Sequence, residues 1–138
     1  MASPTKIKAL DRIFSQYIRL RDSNDMTNGR YFTCCSCWQM KPYEQADAGH
    51  FINRKWMATR WREDNVHAQC RACNRFDEGN AIGYARFMQK KYGDEHVDRL
   101  FAIKNMTQKW TDYELEFMIK DYKAQVKNLT NPSRGDTV

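Results

Sequence analysis

The sequence predicts an α+β domain whose short, metal-stapled centre is flanked by one helix on its N-terminal side and by several on its C-terminal side. Three observations carry that prediction. Two Cys-x-x-Cys pairs, Cys34 with Cys37 and Cys70 with Cys73, bracket the centre. Apolar residues recur at helical spacing before and after it, whereas between about residues 31 and 76 that spacing is lost and turn residues are scattered instead. The 138 residues suit one ordinary domain, and no Pro/Gly/Ser-rich linker divides them. A single domain over 1–130 is therefore expected, with 1–30 the N-terminal helix and turn, 31–78 the stapled core and 79–130 the C-terminal helices. Residues 131–138, with Pro132 and Gly135, are expected to be a disordered tail.

Pro4 stands where a first helical turn tolerates proline, and Ile7, Leu10, Phe14 and Tyr17 or Ile18 follow at helical spacing, which predicts an amphipathic helix through about Arg21. Its other face carries Lys6, Lys8, Arg12, Arg19 and Arg21, either solvated or turned toward a polyanion. The polar run 22–30 ends in the turn signal Asn28-Gly29, and Tyr31-Phe32-Thr33 reads as a short strand entering the first cysteines. Beyond Gly79, helices are predicted over about 81–92, about 94–104 and 111 to about 129. The last is the best specified: Thr111 and Glu114 form a capping box, and Leu115, Met118, Ile119, Tyr122 and Val126 make one apolar stripe suited to core packing.

Lys and Arg outnumber Asp and Glu by 23 to 17, a net charge of +6 that favours a polyanionic partner without distinguishing nucleic acid from a merely basic surface. The N-terminal stretch lacks an apolar signal core, and no run of about 18 apolar residues occurs, so neither secretion nor a membrane span is expected. The expected compartment is the cytoplasm, where thiols stay reduced and paired cysteines are better read as metal ligands than as disulfides.

Each Cys-x-x-Cys pair can place two thiolates on one tetrahedral ion through a tight knuckle. Cys34, Cys37, Cys70 and Cys73 together supply four sulfurs, a closed shell with no position left for water, so the expected Zn2+ is structural. Cys35 is the odd residue; it could stand in for Cys34, although only the 34/37 choice keeps the spacing. The 32 residues between Cys37 and Cys70 exceed what a simple zinc ribbon carries, and chemistry is to be sought in that insert.

Inside and after the insert come Asp47-Ala48-Gly49-His50-Phe51-Ile52, then Asp64-Asn65-Val66-His67-Ala68-Gln69-Cys70, then Cys73-Asn74. This order resembles the HNH signature of ββα-metal endonucleases. With the flanking stretches 10–22, 48–54, 60–61, 79–84 and 90–93 it resembles the NinG/Rap group of phage recombination nucleases, over about residues 7 to 93. The resemblance implies a zinc-stapled ββα-metal core that hydrolyses DNA with a catalytic Mg2+ or Mn2+, leaving 5'-phosphate and 3'-hydroxyl ends. It further implies branched substrates such as Holliday junctions or D-loops, and a phage or prophage protein acting in the host cell.

The resemblance also assigns roles. His50 would be the general base, a task for which an imidazole with an ordinary pKa near 6.5 is suited. Asn65 would bond backbone across the ββ hairpin and hold His50 in place. Asn74 would offer its amide oxygen to the cation, or cap the helix it opens. Most HNH enzymes carry an Asp immediately before the base, and here Gly49 stands there, so the missing ligand would be Asp47, His67 or water. An extended strand puts residues 47 and 50 on opposite faces, which weighs against Asp47; His67 shares the parity of Asn65, although a role supporting the ligands from behind, or simple packing, suits it equally. Arg54, Lys55, Arg60 and Arg62, interleaved with Trp56 and Trp61, are the candidate DNA-contacting residues. A dimer is expected because resolving a junction takes two incisions. The rival readings are a less selective nicking or restriction-type nuclease, a non-catalytic zinc module that binds nucleic acid, and a protein-interaction scaffold.

Overall fold

Ser3 caps the first helix by accepting the Lys6 backbone N–H at 3.3 Å, with Pro4 in the first turn, so the helix begins where its sequence places it. In this computed structural model, which describes residues 2–130, that helix is α1 (Pro4–Arg21). Four short strands follow: β1 (Tyr31–Thr33), β2 (Met40–Pro42), β3 (Ala46–His50) and β4 (Val66–Cys70). A single π-helical turn at Ala72–Phe76 leads to α2 (Ala81–Tyr92), α3 (Asp94–Lys104) and α4 (Asp112–Thr130). The tail expected at 131–138 lies outside the described residues. No helix among them is long and apolar enough to cross a membrane.

The mixed α+β organisation agrees with the sequence, and so do the helix bounds to within a residue. α4 opens on the capping box: Glu114 N donates to Thr111 Oγ1 at 3.1 Å, and Thr111 N donates to Glu114 Oε1 at 3.0 Å. Two elements differ. β2, which sequence did not signal, pairs antiparallel with β1 in the register Tyr31↔Pro42 and Thr33↔Met40. The helix expected to open at Asn74 lasts only to Phe76, because Glu78, Gly79 and Asn80 all adopt positive φ and turn the chain before α2 restarts.

β3 and β4 form a separate antiparallel pair, Ala46↔Cys70 through His50↔Val66. Three apolar clusters hold the layers together. α1 packs Leu10, Phe14 and Ile18 against Leu115 and Tyr122 of α4, with Trp61 and Val66 between them. Phe32, Ala46 and Ala68 gather around the cysteines. Cys35 and Ile52 join Tyr84, Met88 and Leu100, seating the two small helices on the insert. Part of the basic face of α1 is consumed internally: Lys6 pairs with Glu116 at 2.7 Å, and Arg21 donates to the Val66 and Glu63 carbonyls at 2.8 and 3.0 Å.

Candidate metal centre and adjoining cleft

The Sγ atoms of Cys34, Cys37, Cys70 and Cys73 all lie within 4.8 Å of one another, and those of Cys37 and Cys70 are 3.9 Å apart. Four sulfurs about 2.3 Å from a tetrahedral ion stand about 3.8 Å apart, so the cluster needs little adjustment to close on one. The four cysteines are thus positioned to bind a metal ion. The backbone N–H groups of Ser36, Cys37 and Cys70 converge on Cys34 Sγ at 3.3 to 3.5 Å, an arrangement made for a thiolate. The neighbouring Cys35 thiol, working against burial, and then these N–H groups push the Cys34 thiol down to about 4. Cys35 itself is buried in the apolar cluster against Ile52, Tyr84 and Met88, and burial pushes its thiol far up. The choice between Cys34 and Cys35 therefore resolves to Cys34.

A cleft of about 700 Å³ adjoins this centre and is lined by His50, Asp47 and Asn74 together with Asp11, Arg54 and Arg75. Residues 47 and 50 do have opposite parity in β3, as expected from sequence. They share the cleft because β3 pairs only with β4, so its other edge is open, and the cleft runs along that edge between α1 and residues 74–79. Both faces of an edge strand can reach such a groove. Asp47 therefore meets Asn74: its Oδ2 accepts from Asn74 Nδ2 at 3.1 Å. Gly49 carries no side chain because none would fit; a Cβ there would collide with Gln69, whose Nε2 is anchored to Ser36 Oγ at 2.8 Å and the Gly79 carbonyl at 2.6 Å.

His50 Nε2 lies 2.9 Å from the Arg60 carbonyl, which can only accept, so the neutral ring carries its proton on Nε2 and a lone pair on Nδ1. Every buried side-chain N or O among the described residues has a hydrogen-bond partner; Nδ1 has none, so it opens onto the cleft. Burial pushes the imidazole down to about 4, the Arg60 carbonyl opposing and Arg54 assisting, so the ring is neutral near pH 7. Asn65, fully buried, bonds the backbone at both ends of the 52–59 loop. Its Oδ1 accepts from Ile52 N at 2.8 Å, and its Nδ2 donates to the Ile52 and Thr59 carbonyls, each at 3.1 Å. These bonds fix the segment next to Arg60, on which the His50 orientation depends.

Several candidate residues lie elsewhere. His67, 2% exposed, places Nδ1 3.0 Å from the Tyr84 hydroxyl and Nε2 2.7 Å from the Tyr92 hydroxyl. With both nitrogens engaged beneath α2, it does not line the cleft that Asn74 lines, and of its possible roles ligation is corrected to buried packing. Trp61 is corrected likewise: it is 5% exposed in the core, its Nε1 donating to Asp11 Oδ1 at 2.9 Å, and it offers no ring face to a base. Arg60 is forked onto Asp11 and Arg62 onto Asp64. The Trp56 ring is covered by Lys104 at 4.6 Å and Lys55 at 5.4 Å. Arg54 and Lys55 remain exposed, Arg54 at the cleft. Asp11, which gathers Arg54, Arg60 and Trp61, was missed; nothing in the sequence links it to partners 43 to 50 residues away.

The two buried histidines set an acid limit. Burial also pushes His67 down, to about 3. Below pH 6.5 the unfolded histidines bind protons while the folded ones stay neutral, so stability falls as pH drops from 6.5 toward 4 and levels off above 6.5. At pH 5.5 the loss is at most about 1.4 kcal/mol per histidine. Urea midpoints at pH 7.5 and 5.5 should differ in that direction, and His67→Gln should flatten the dependence; an unchanged midpoint would refute it.

The family model described as "NinG: Bacteriophage Lambda NinG protein" matches residues 4–132. The protein named ninG of Escherichia phage lambda is 31% identical over 126 residues, 91% of this chain and 57% of its own length. That of Salmonella phage P22 is 29% identical over 124 residues, 89% and 57% respectively, and that of Enterobacteria phage H19B is 30% identical over 126, 91% and 58%. The chain thus spans a little under three fifths of the length of these relatives. No solved structure matches it. Because the family match runs through α1, both cysteine pairs, the cleft residues and all of α4, the chain belongs to the NinG family of bacteriophage proteins.

Proposed function

We propose that this chain is a metal-dependent DNA endonuclease of HNH type, its β3, β4 and 72–76 turn forming a ββα-metal core. The observation that carries the reading is the meeting of His50, Asp47 and Asn74 in one cleft beside a separate four-cysteine centre. The four-thiolate set suits Zn2+, which in a closed shell would hold the two knuckles together and take no part in chemistry. Asp47 and Asn74 are neighbours, Asn74 Nδ2 donating to Asp47 Oδ2 at 3.1 Å, and the carboxylate together with the amide oxygen, once the amide is turned, would hold Mg2+ or Mn2+. When bound, that cation supplies neutralisation of charge on the phosphate and the leaving 3'-oxygen.

The chain's own residues would do the rest. His50 Nδ1, neutral near pH 7 and open to the cleft, takes the proton from the attacking water. The Arg60 carbonyl fixes the tautomer, and Asn65 fixes the loop that presents this carbonyl. Arg54 at the rim can bind backbone phosphate, with Lys55 beside it. Cleavage of supercoiled plasmid in Mg2+ or Mn2+, abolished by a chelator that leaves the four-cysteine centre filled, tests the activity. Salt-dependent DNA binding without cleavage would favour a non-catalytic zinc module, and neither would favour a protein-interaction scaffold.

The substrate we propose is branched DNA of the kind recombination produces, a Holliday junction or a D-loop. A groove contacting backbone phosphates without reading bases can follow diverging strands, and a homodimer would provide the two incisions that resolution needs. A four-way junction should be cut at least about tenfold faster than a linear duplex of the same sequence, the factor set by roughly one extra arginine–phosphate contact. Equal rates would leave a less selective nicking nuclease and remove the recombination role.

A further inference from the structure

Asp47, which the proposed nuclease reading assigns to the divalent cation, is already engaged. Arg75 Nε donates to its Oδ2 at 2.8 Å and Arg75 Nη2 to its Oδ1 at 2.9 Å, so one guanidinium covers both carboxylate oxygens. Asn74 Nδ2 donates a further bond to Oδ2. Three of the four carboxylate lone-pair sites are thus taken, and a cation on the fourth, at Oδ1, would sit against the positive guanidinium, so the fork weakens cation binding until it moves. Arg75 is nevertheless free to move: its side chain is 54% exposed against 15% for Asp47, and it rises from the one-turn helix 72–76, beyond which the chain bends away. With its guanidinium half in solvent, Arg75 can exchange one oxyanion partner for another without disturbing the core.

Both residues line the cleft that would receive a phosphodiester. Phosphate presents the same bidentate geometry to a guanidinium as a carboxylate does. We infer that Arg75 is a phosphate-operated cover on the cation position: in the free protein it holds Asp47, and a DNA phosphate entering the cleft draws it away and exposes the carboxylate. DNA and cation then bind with positive coupling, although they are like-for-like competitors at no single atom. The device keeps the cleft from holding a cation when no DNA is present. Arg75 is thereby a positioning residue that acts through Asp47, and the inference rests on the nuclease reading for the cation at Asp47 and for the identity of the phosphate.

The test follows Mn2+ binding to the full chain by the electron spin resonance of free Mn2+, in a His50→Ala background that keeps DNA intact, with and without a short duplex. Without DNA, Arg75→Gln should bind Mn2+ roughly three- to tenfold more tightly than its parent. Arg75→Lys, which keeps the charge but loses the fork, should also bind more tightly than the parent. Added duplex should tighten Mn2+ binding by the parent and leave that by Arg75→Gln nearly unchanged. Asp47→Asn should abolish the binding in every case. The inference is overturned if Arg75→Lys binds no better than the parent, or if duplex tightens parent and Arg75→Gln equally. Absence of Mn2+ binding in all variants overturns it as well. Cleavage by the unmodified protein, measured separately, shows whether the nuclease reading falls with it.

Discussion

His50→Ala is expected to lower DNA cleavage by about 10² to 10⁴-fold, the range that a positioned general base contributes. Metal content and DNA affinity should stay within about twofold, because the base acts on the attacking water in the transition state and adds nothing to ground-state binding. The geometry makes the separation clean: the ring touches the protein through one hydrogen bond, to the Arg60 carbonyl, and its other nitrogen opens onto the cleft. Cleavage by the parent should follow a base whose ordinary pKa is lowered by burial, staying high as pH falls through 6. Plasmid nicking with purified variants checks both statements. Retention of more than a few per cent of parental cleavage by His50→Ala would remove His50 as the base.

Loss of the metal centre should be the largest effect on the fold. Structural zinc sites contribute apparent folding free energies of roughly 10 to 16 kcal/mol, more than a typical small domain has in total, so Cys70→Ser or prolonged chelation should unfold the chain. The position of the cluster explains why. Cys34 and Cys70 are both buried, the Cys70 N–H bonds Cys34 Sγ, and among the described residues the buried apolar side chains clustered with the cysteines are Phe32, Ala46 and Ala68. β1 with β2 and β3 with β4 are two-stranded ribbons, which do not persist alone in water. Cys35→Ser, by contrast, should fold and keep its metal with a loss of about 1 to 2 kcal/mol, since it places a hydroxyl in an apolar cluster beside Ser36 Oγ. Circular dichroism and elemental analysis of the two variants make the comparison. A folded, metal-free Cys70→Ser chain would defeat the argument.

What sequence could show here depended on how far apart the interacting residues lie. Thr111 and Glu114 are three residues apart and the cysteines of each knuckle likewise, so the capping box and the four-cysteine cluster were legible as spacings. The spacing from His50 through Asn65 to Asn74 was legible too, and the structure brings His50 and Asn74 to one cleft. Alternation along β3 was read correctly as a local rule and still misjudged Asp47, because whether a strand lies at an edge is a property of the sheet and not of the strand. His67 could not be placed without Tyr84 and Tyr92, which approach it from a helix 17 and 25 residues away. Trp61 was left open between core and base contact, and the arginines beside it were read as phosphate contacts, because Asp11, the acceptor that draws Trp61 and Arg60 inward, sits on α1, some 50 residues away in sequence.

The collision between Gly49 and Gln69 has a consequence for descent. Position 49 can acquire a side chain such as aspartate only if position 69 first gives up its long side chain, and Gln69 cannot shrink without releasing both Ser36 and the Gly79 carbonyl. Each single step passes through a damaged protein, either overpacked or missing a buried tie between the first knuckle and the turn before α2. The two sites should therefore change as a pair across lineages. A carboxylate reaching the cleft from position 47 is what a chain locked at glycine two residues later would be left to use.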